Sequence, residues 1–269
     1  MATTLCFINQ KGGCGKSSTC FHLSGCLAEL DFQVLLVDAD PQGSLSQAFF
    51  GSAEIERLQA EETLAVLFDD GCHQVSADAI TLPTSLERIS LIPANHTLAA
   101  HNSPSPELAG LKLQTLRAHL DRLQPYDFVL IDCPPNLYLC SWNAMLAADA
   151  IVIPVPPEDF GTQGLRVVHQ AVDNARQLNN GLRLLGHVVT RADRRLLVHQ
   201  AYEKRLRSLY GDLVLETVIP EASAFKVALA CRQPVGHFSP RCKAAQATRA
   251  LCREILERVA EQAKKRQVA

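Results

Sequence analysis

At 269 residues, 47% hydrophobic and 20% charged, the chain can bury a substantial core, which excludes intrinsic disorder and a small disulfide-stapled fold. No run reaches the ~18 consecutive apolar residues of a membrane-spanning helix, and the first residues enter an apolar segment without a basic leader, so a cytoplasmic protein is expected. The formal charge of −2 conceals an asymmetry: residues 1–180 carry 9 Lys and Arg against 20 Asp and Glu, whereas residues 181–269 carry 17 against 8.

Taken in chain order, apolar runs of strand length fall at 3–8, 34–38, 89–92, 128–132, 150–154, 184–190 and 213–219. Between them, helical spacing of apolar residues covers 17–30, 107–124, 161–178, 196–209 and 241–265. Strand followed by helix, repeated, predicts an α/β fold: a doubly wound, mostly parallel sheet with helices on both faces, in a single domain over residues 1–269. The acidic, irregular stretch 51–83 and the turn-rich stretch 101–106 are expected to loop over the surface. Ten cysteines are scattered through these elements without a CxxC pair, which reads as reduced thiols rather than disulfides or metal ligands.

The strand at 3–8 runs into Lys11-Gly12-Gly13-Cys14-Gly15-Lys16-Ser17-Ser18 and then into a helix, the setting a phosphate-binding loop requires. Glycines let backbone N–H groups wrap a polyphosphate, and the helix N-terminus favours its negative charge. Lys16 is placed for the β- and γ-phosphates, Ser17 for Mg²⁺ and Ser18 for the α-phosphate. Cys14 reads as a small apolar filler; the sharper alternative is a redox-sensitive thiol beside positive charge. The generic motif has Gly where Gln10 stands, so the match is to a variant loop marked by Lys11.

The strand at 34–38 delivers Asp38-Ala39-Asp40-Pro41-Gln42-Gly43 to the carboxyl edge of the sheet, beside that loop. Phosphoryl transfer to water needs a residue that orients the nucleophile, and Asp40 is the candidate. A third apolar strand ends in Asp132, a candidate holder of a Mg²⁺-bound water, followed by the stiff Cys133-Pro134-Pro135.

These motifs together resemble the ParA/MinD group of deviant Walker P-loop NTPases, whose loop reads KGGxGK[ST][ST] and whose later segments read DxDPQ and IDxPP. The resemblance implies ATP and Mg²⁺ as cofactors, weak ATP hydrolysis and a nucleotide-sandwich homodimer. It implies Lys11, Lys16 and Asp40 in catalysis, with Lys11 reaching the partner's nucleotide, and nucleotide contacts from Lys11 through Ser18 and from Pro220. Ser17, Asp38 and Asp132 are then the residues at the metal, Asp38 in support. By the same resemblance Thr190-Arg191 sits on the base or ribose side, and Glu158-Asp159 contact the partner subunit or its nucleotide.

ParA-type members bind DNA nonspecifically through basic residues of the C-terminal part, whereas MinD-type members bind membranes through a terminal amphipathic helix. The basic last third favours the first, with Arg191, Arg194, Arg195, Lys226 and Arg232 as candidate phosphate contacts. Glu221 and Ala224 stand where arginines follow Ile-Pro in many members. The expected partners are a second copy, DNA and a ParB-like or cargo-adaptor activator on the nucleoid, without a stable membrane anchor. A membrane-recruited MinD-like regulator is the alternative; an iron–sulfur reductase of the nitrogenase-iron-protein type would predict bound iron.

Overall fold

The computed structural model describes residues 2–69, 76, 78–123, 126–158 and 162–268, with backbone alone at 162, 163 and 265–268. The order of elements is β1 (Thr3–Phe7), α1 (Lys16–Ala28), β2 (Val34–Asp38), α2 (Ser44–Phe50), α3 (Ser52–Ile55), β3 (Leu82–Pro83), β4 (Ile89–Ile92), α4 (Thr115–Leu120) and β5 (Phe128–Asp132). Then follow α5 (Leu139–Ala147), β6 (Ala150–Val155), α6 (Thr162–Leu178), β7 (Arg183–Ala192), α7 (Leu197–Tyr210), β8 (Val214–Pro220), α8 (Ser223–Ala230), α9 (Val235–Phe238) and α10 (Lys243–Val268).

The strands form one sheet in the order β3-β4-β2-β5-β1-β6-β7-β8. Every neighbouring pair is parallel except β3 with β4. Strands buried on both faces read as continuous apolar runs, which is why they were visible in the sequence. Successive side chains still alternate between faces. Leu5 and Phe7 of β1 pack with Phe21, Leu23 and Leu27 of α1 and Leu251 and Ile255 of α10. Cys6 and Ile8 join Leu139 and Ala144 of α5 and Val168 and Val172 of α6 on the other face. The doubly wound, mostly parallel α/β architecture expected from the sequence is the one observed.

β1 is flanked by β5 and β6, so connections leave it to both sides and the carboxyl ends of β1, β2 and β5 meet at one crevice. Register fixes the detail: Phe7 lies beside Asp132, and Asp38 lies beside Asp132 from the opposite side of β5.

Three local expectations need correction. The stretch 51–83 is not all surface loop: Leu64–Phe68 form a 3-10 turn whose five residues are buried in the core, started by the Thr63 side chain accepting from the Ala65 N–H. The helix expected at 107–124 breaks into 3-10 turns at Pro106–Leu108 and Gly110–Gln114 before α4, because Gly110 takes a φ of 56°. That break leaves Leu108 and Leu111 outside, 83% and 90% exposed. Finally, α2, α5 and α8 were not anticipated; in α5 every residue but Trp142 is buried, so it shows no polar stripe to reveal its period.

Candidate functional site

The P-loop leaves β1 through Asn9, a buried amide that fastens both its ends. Asn9 Nδ2 donates to the Pro154 carbonyl at the end of β6 (2.7 Å), and its Oδ1 accepts the Lys11 N–H (3.0 Å). Gly13 and Gly15 then take φ values of 68° and 91°, which an L side chain rarely adopts. β7 braces the turn from outside: Thr190 Oγ1 donates to the Cys14 carbonyl (2.7 Å) and Arg191 to the Gly13 carbonyl (2.9 Å).

Lys16 opens α1 and is almost completely buried, its Nζ donating to the carbonyls of Asn9 (3.2 Å) and Lys11 (3.3 Å). Cys14 points into the core at 0% exposure, its Sγ 3.8 Å from Lys16 Nζ, and burial outweighs that neighbouring charge to push the thiol pKa up. The Lys11 side chain pairs with Glu158 at 2.8 Å, each side chain nearly half exposed. The hydrogen bond from Lys11 lowers the Glu158 pKa. Asp159, assigned with Glu158 in the sequence, lies outside the described residues.

Three carboxylates stand at the carboxyl edge in different states. Asp38 is saturated: Oδ1 accepts the Asp40 N–H (3.1 Å), and Oδ2 accepts both the N–H (2.8 Å) and the hydroxyl (2.7 Å) of Ser46. Asp40 accepts the Gln42 N–H (2.9 Å) and lines the cavity in front of the P-loop. Asp132 is fully buried, and among the described residues neither of its oxygens has a hydrogen-bond partner. The Ser17 hydroxyl approaches closely enough to lower its pKa without closing a hydrogen bond. Burial raises all three pKa values, and the mutual repulsion of Asp38 and Asp132 adds to that of Asp132.

An orphaned carboxylate at a hydroxyl is what a hard cation would satisfy. Among the described residues no three His, Cys, Asp or Glu side chains converge as a protein-only cage. A small divalent cation would therefore draw on Ser17, on Asp132 and on oxygens brought by a ligand, and Asp38, with both oxygens engaged, stands behind them.

The cavity, of about 370 Å³, is lined by residues 12–18, by Asp40, Ser44, Pro135, Thr190 and Arg191, and by a strip from Ile219 to Lys226 ending at Leu229. Its lining combines the loop of residues 12–18 with the apolar side chains of Ile219, Pro220, Phe225 and Leu229. Ser44, Phe225 and Leu229 were not singled out in the sequence, although Phe225 and Leu229 follow Ile219-Pro220 at the four-residue spacing of a helix face. Asn9 gave no local signal, because its partner Pro154 is 145 residues away.

The family model described as "AAA domain" matches residues 2–184. Over 258 residues the chain is 34% identical to the chromosome partitioning protein ParA of Caulobacter vibrioides, covering 94% of each chain. The chain belongs to the ParA family of AAA-domain P-loop ATPases. It is 32% identical to the sporulation initiation inhibitor protein Soj of Bacillus subtilis, covering 95% of this chain and 98% of that one. Cobyrinic acid a,c-diamide synthase of Mycobacterium smegmatis, solved with ADP and magnesium, superposes with a TM-score of 0.78 at 27% identity over 95% and 94% of the two chains.

Of the five candidate DNA contacts in this ParA-family chain, three are held in ion pairs. Arg191 and Lys226 converge on Glu221 at the cavity rim, at 3.0 and 3.2 Å. Arg195 is paired with Asp193 (2.7 Å) on the loop after β7, beside Arg194. Arg232 packs on Gly51 in a separate hollow with Arg57.

Proposed function

We propose that this ParA-family chain binds ATP and Mg²⁺ at the P-loop, dimerises on them and binds DNA without sequence preference as the dimer. A ParB-like or cargo-adaptor protein that stimulates hydrolysis then releases it, so that DNA or another cellular cargo is partitioned or positioned. The observation that carries the nucleotide chemistry is the orphaned Asp132 carboxylate facing Ser17 at the mouth of the P-loop. The partition role rests on the relatives' names and on the basic last third of the chain.

In this reading the N–H groups of residues 12–18 cradle the phosphates. Lys16 trades two backbone carbonyls for β- and γ-phosphate oxygens, so no buried ion pair has to break. Ser17 and Asp132, the latter through water, would hold Mg²⁺, which supplies neutralisation of the charge developing on the transferring group. Asp40 orients the attacking water, and Asp38 acts through the turn that carries Asp40. Lys11 leaves an exposed pair worth about 0.2–1 kcal/mol to reach across the dimer.

Against the membrane alternative, Leu251, Cys252 and Ile255 of α10 are buried with α1 and the sheet, so this face of the helix is not free for lipid. No helix among the described residues is long and apolar enough to cross a membrane.

The test uses Asp40→Ala, which should bind ATP, form a dimer by light scattering and lose at least ~100-fold in hydrolysis. The trapped dimer should bind arbitrary duplex DNA in a salt-sensitive way. Normal turnover by Asp40→Ala would refute the chemical assignment, and sedimentation with liposomes instead of DNA would refute the partition reading.

A further inference from the structure

Ser46, in the first turn of α2, touches no part of the cavity and carries no motif role, yet it is the most heavily used hydroxyl near it. It is 0% exposed. Its Oγ donates to Asp38 Oδ2 (2.7 Å) and accepts the Ala94 N–H just beyond β4 (3.0 Å), while its own N–H donates to the same Asp38 oxygen (2.8 Å). The other Asp38 oxygen takes the Asp40 N–H (3.1 Å). The loop from β2 to α2 is thus tied to one carboxylate at both ends.

The same loop is pressed from outside. Gly43 has a φ of 62°, and a Cβ built there would meet the Ala94 carbonyl oxygen at 2.5 Å. The turn bearing Asp40 therefore sits between Asp38 and the backbone of Ala94, and the Ser46 hydroxyl is the group that bonds to both. Alanine at this position would leave the Ala94 N–H without its acceptor and Asp38 without its shortest donor, both inside a dry interior where neither is replaced by water.

We infer that Ser46 is a positioning residue for phosphoryl transfer: by locking Asp38 to Ala94 it holds the Asp40 turn in the geometry that aims the attacking water. This rests on the reading of Asp40 as the water-orienting group. Displacement of that turn changes the chemical step more than nucleotide binding, because the P-loop lies on a different strand and is braced by Asn9 and Thr190.

The experiment measures single-turnover hydrolysis per bound nucleotide and fluorescent-ATP affinity for Ser46→Ala, Ser46→Thr and Ser46→Cys, with Asp40→Ala alongside. Ser46→Ala should hydrolyse at least ~10-fold more slowly with affinity within ~3-fold, and Ser46→Thr, which keeps the hydroxyl, should return to within ~3-fold of the parent. If Ser46→Ala fails to fold, Ser46→Cys, a weak donor of similar size, should hydrolyse more slowly than Ser46→Thr with affinity within ~3-fold of the parent. A lowered melting temperature with an unchanged rate per bound nucleotide, in either variant, would overturn the inference while Asp40→Ala remained dead. Full activity in Asp40→Ala would remove its ground together with the parent reading.

Discussion

Asp38 and Asp132 are register partners on adjacent parallel strands, so two fully buried carboxylates stand side by side at the carboxyl edge, one saturated with donors and the other bare. Like charges in a low-dielectric interior cannot both ionise cheaply. Keeping both carboxylates ionised is therefore costly, and a cation held at Asp132 would relieve that cost.

The strain has a sign. Carboxyls whose pKa is higher folded than unfolded hold their protons longer in the folded state, so they support folding at low pH and oppose it as pH rises above the ordinary value of about 3.9. Asp132→Asn should therefore raise the stability of the nucleotide-free protein at pH 8 by on the order of 1–3 kcal/mol. The same variant should lose the gain in ATP affinity that Mg²⁺ provides. Urea melts and ATP titrations with and without Mg²⁺ check both, and a destabilised Asp132→Asn would show that the carboxylate has a partner.

A second buried titratable group lies away from the cavity. His187 on β7 is fully buried, its Nε2 lies 3.0 Å from His169 Nε2 on α6, and among the described residues its Nδ1 has no hydrogen-bond partner. The tautomer that leaves Nδ1 bare and donates from Nε2 avoids burying an orphan N–H. Burial lowers its pKa to about 3, so stability is present above the unfolded value near 6.5 and is lost as pH falls from there toward 3. Two pH units below 6.5 the loss is roughly 2.7 kcal/mol. Urea midpoints at pH 7.5 and 4.5 should show His187→Phe, which keeps a ring in contact with Tyr210, losing measurably less stability on acidification than the parent.

What the sequence showed and what it hid follow from the range of the interactions. Strand 128–132 and the loop 11–18 were legible because their signals are local: an apolar run ending in an acid, and glycines between a strand and a helix. The saturation of Asp38 beside a bare Asp132 was not, because it depends on the Asp40 N–H and on Ser46, eight residues from Asp38, reaching the one side chain and not the other. Arg191 read as part of a basic surface because its charge is visible and Glu221, 30 residues away, is not visibly its partner. Leu64–Phe68 read as loop because a short 3-10 turn shows no period, although its five apolar residues signalled burial.

The apolar lining of the cavity supplies a third prediction. Phe225 on α8 lines it and packs against His22 of α1 with ring centroids 4.9 Å apart, so its ring is held from behind. A flat, buttressed wall beside Ile219 and Pro220 suits the face of a purine. Phe225→Ala should weaken ATP binding about 10-fold, equivalent to about 1.4 kcal/mol, and Phe225→Tyr should stay within about 3-fold. Equilibrium titration with a fluorescent ATP analogue decides it, and unchanged affinity in Phe225→Ala would place the base elsewhere.

Cys14 presents the opposite choice between a reactive and a passive thiol, and the balance of two effects settles the expectation. Reactivity requires thiolate, which positive neighbours favour and burial opposes. Lys16 Nζ is 3.8 Å from the sulfur, but the side chain is 0% exposed and burial is the larger effect, so the thiol stays protonated. Cys231, by contrast, is exposed. Under native conditions a maleimide should therefore modify Cys231 before Cys14, as mapped by peptide mass spectrometry. Cys14→Val keeps the small apolar shape and the N–H that faces the phosphates, so its ATPase rate should stay within about 2-fold of the parent. Peroxide should inactivate the two proteins equally fast; protection by the valine would instead mark Cys14 as the redox-sensitive residue of the loop.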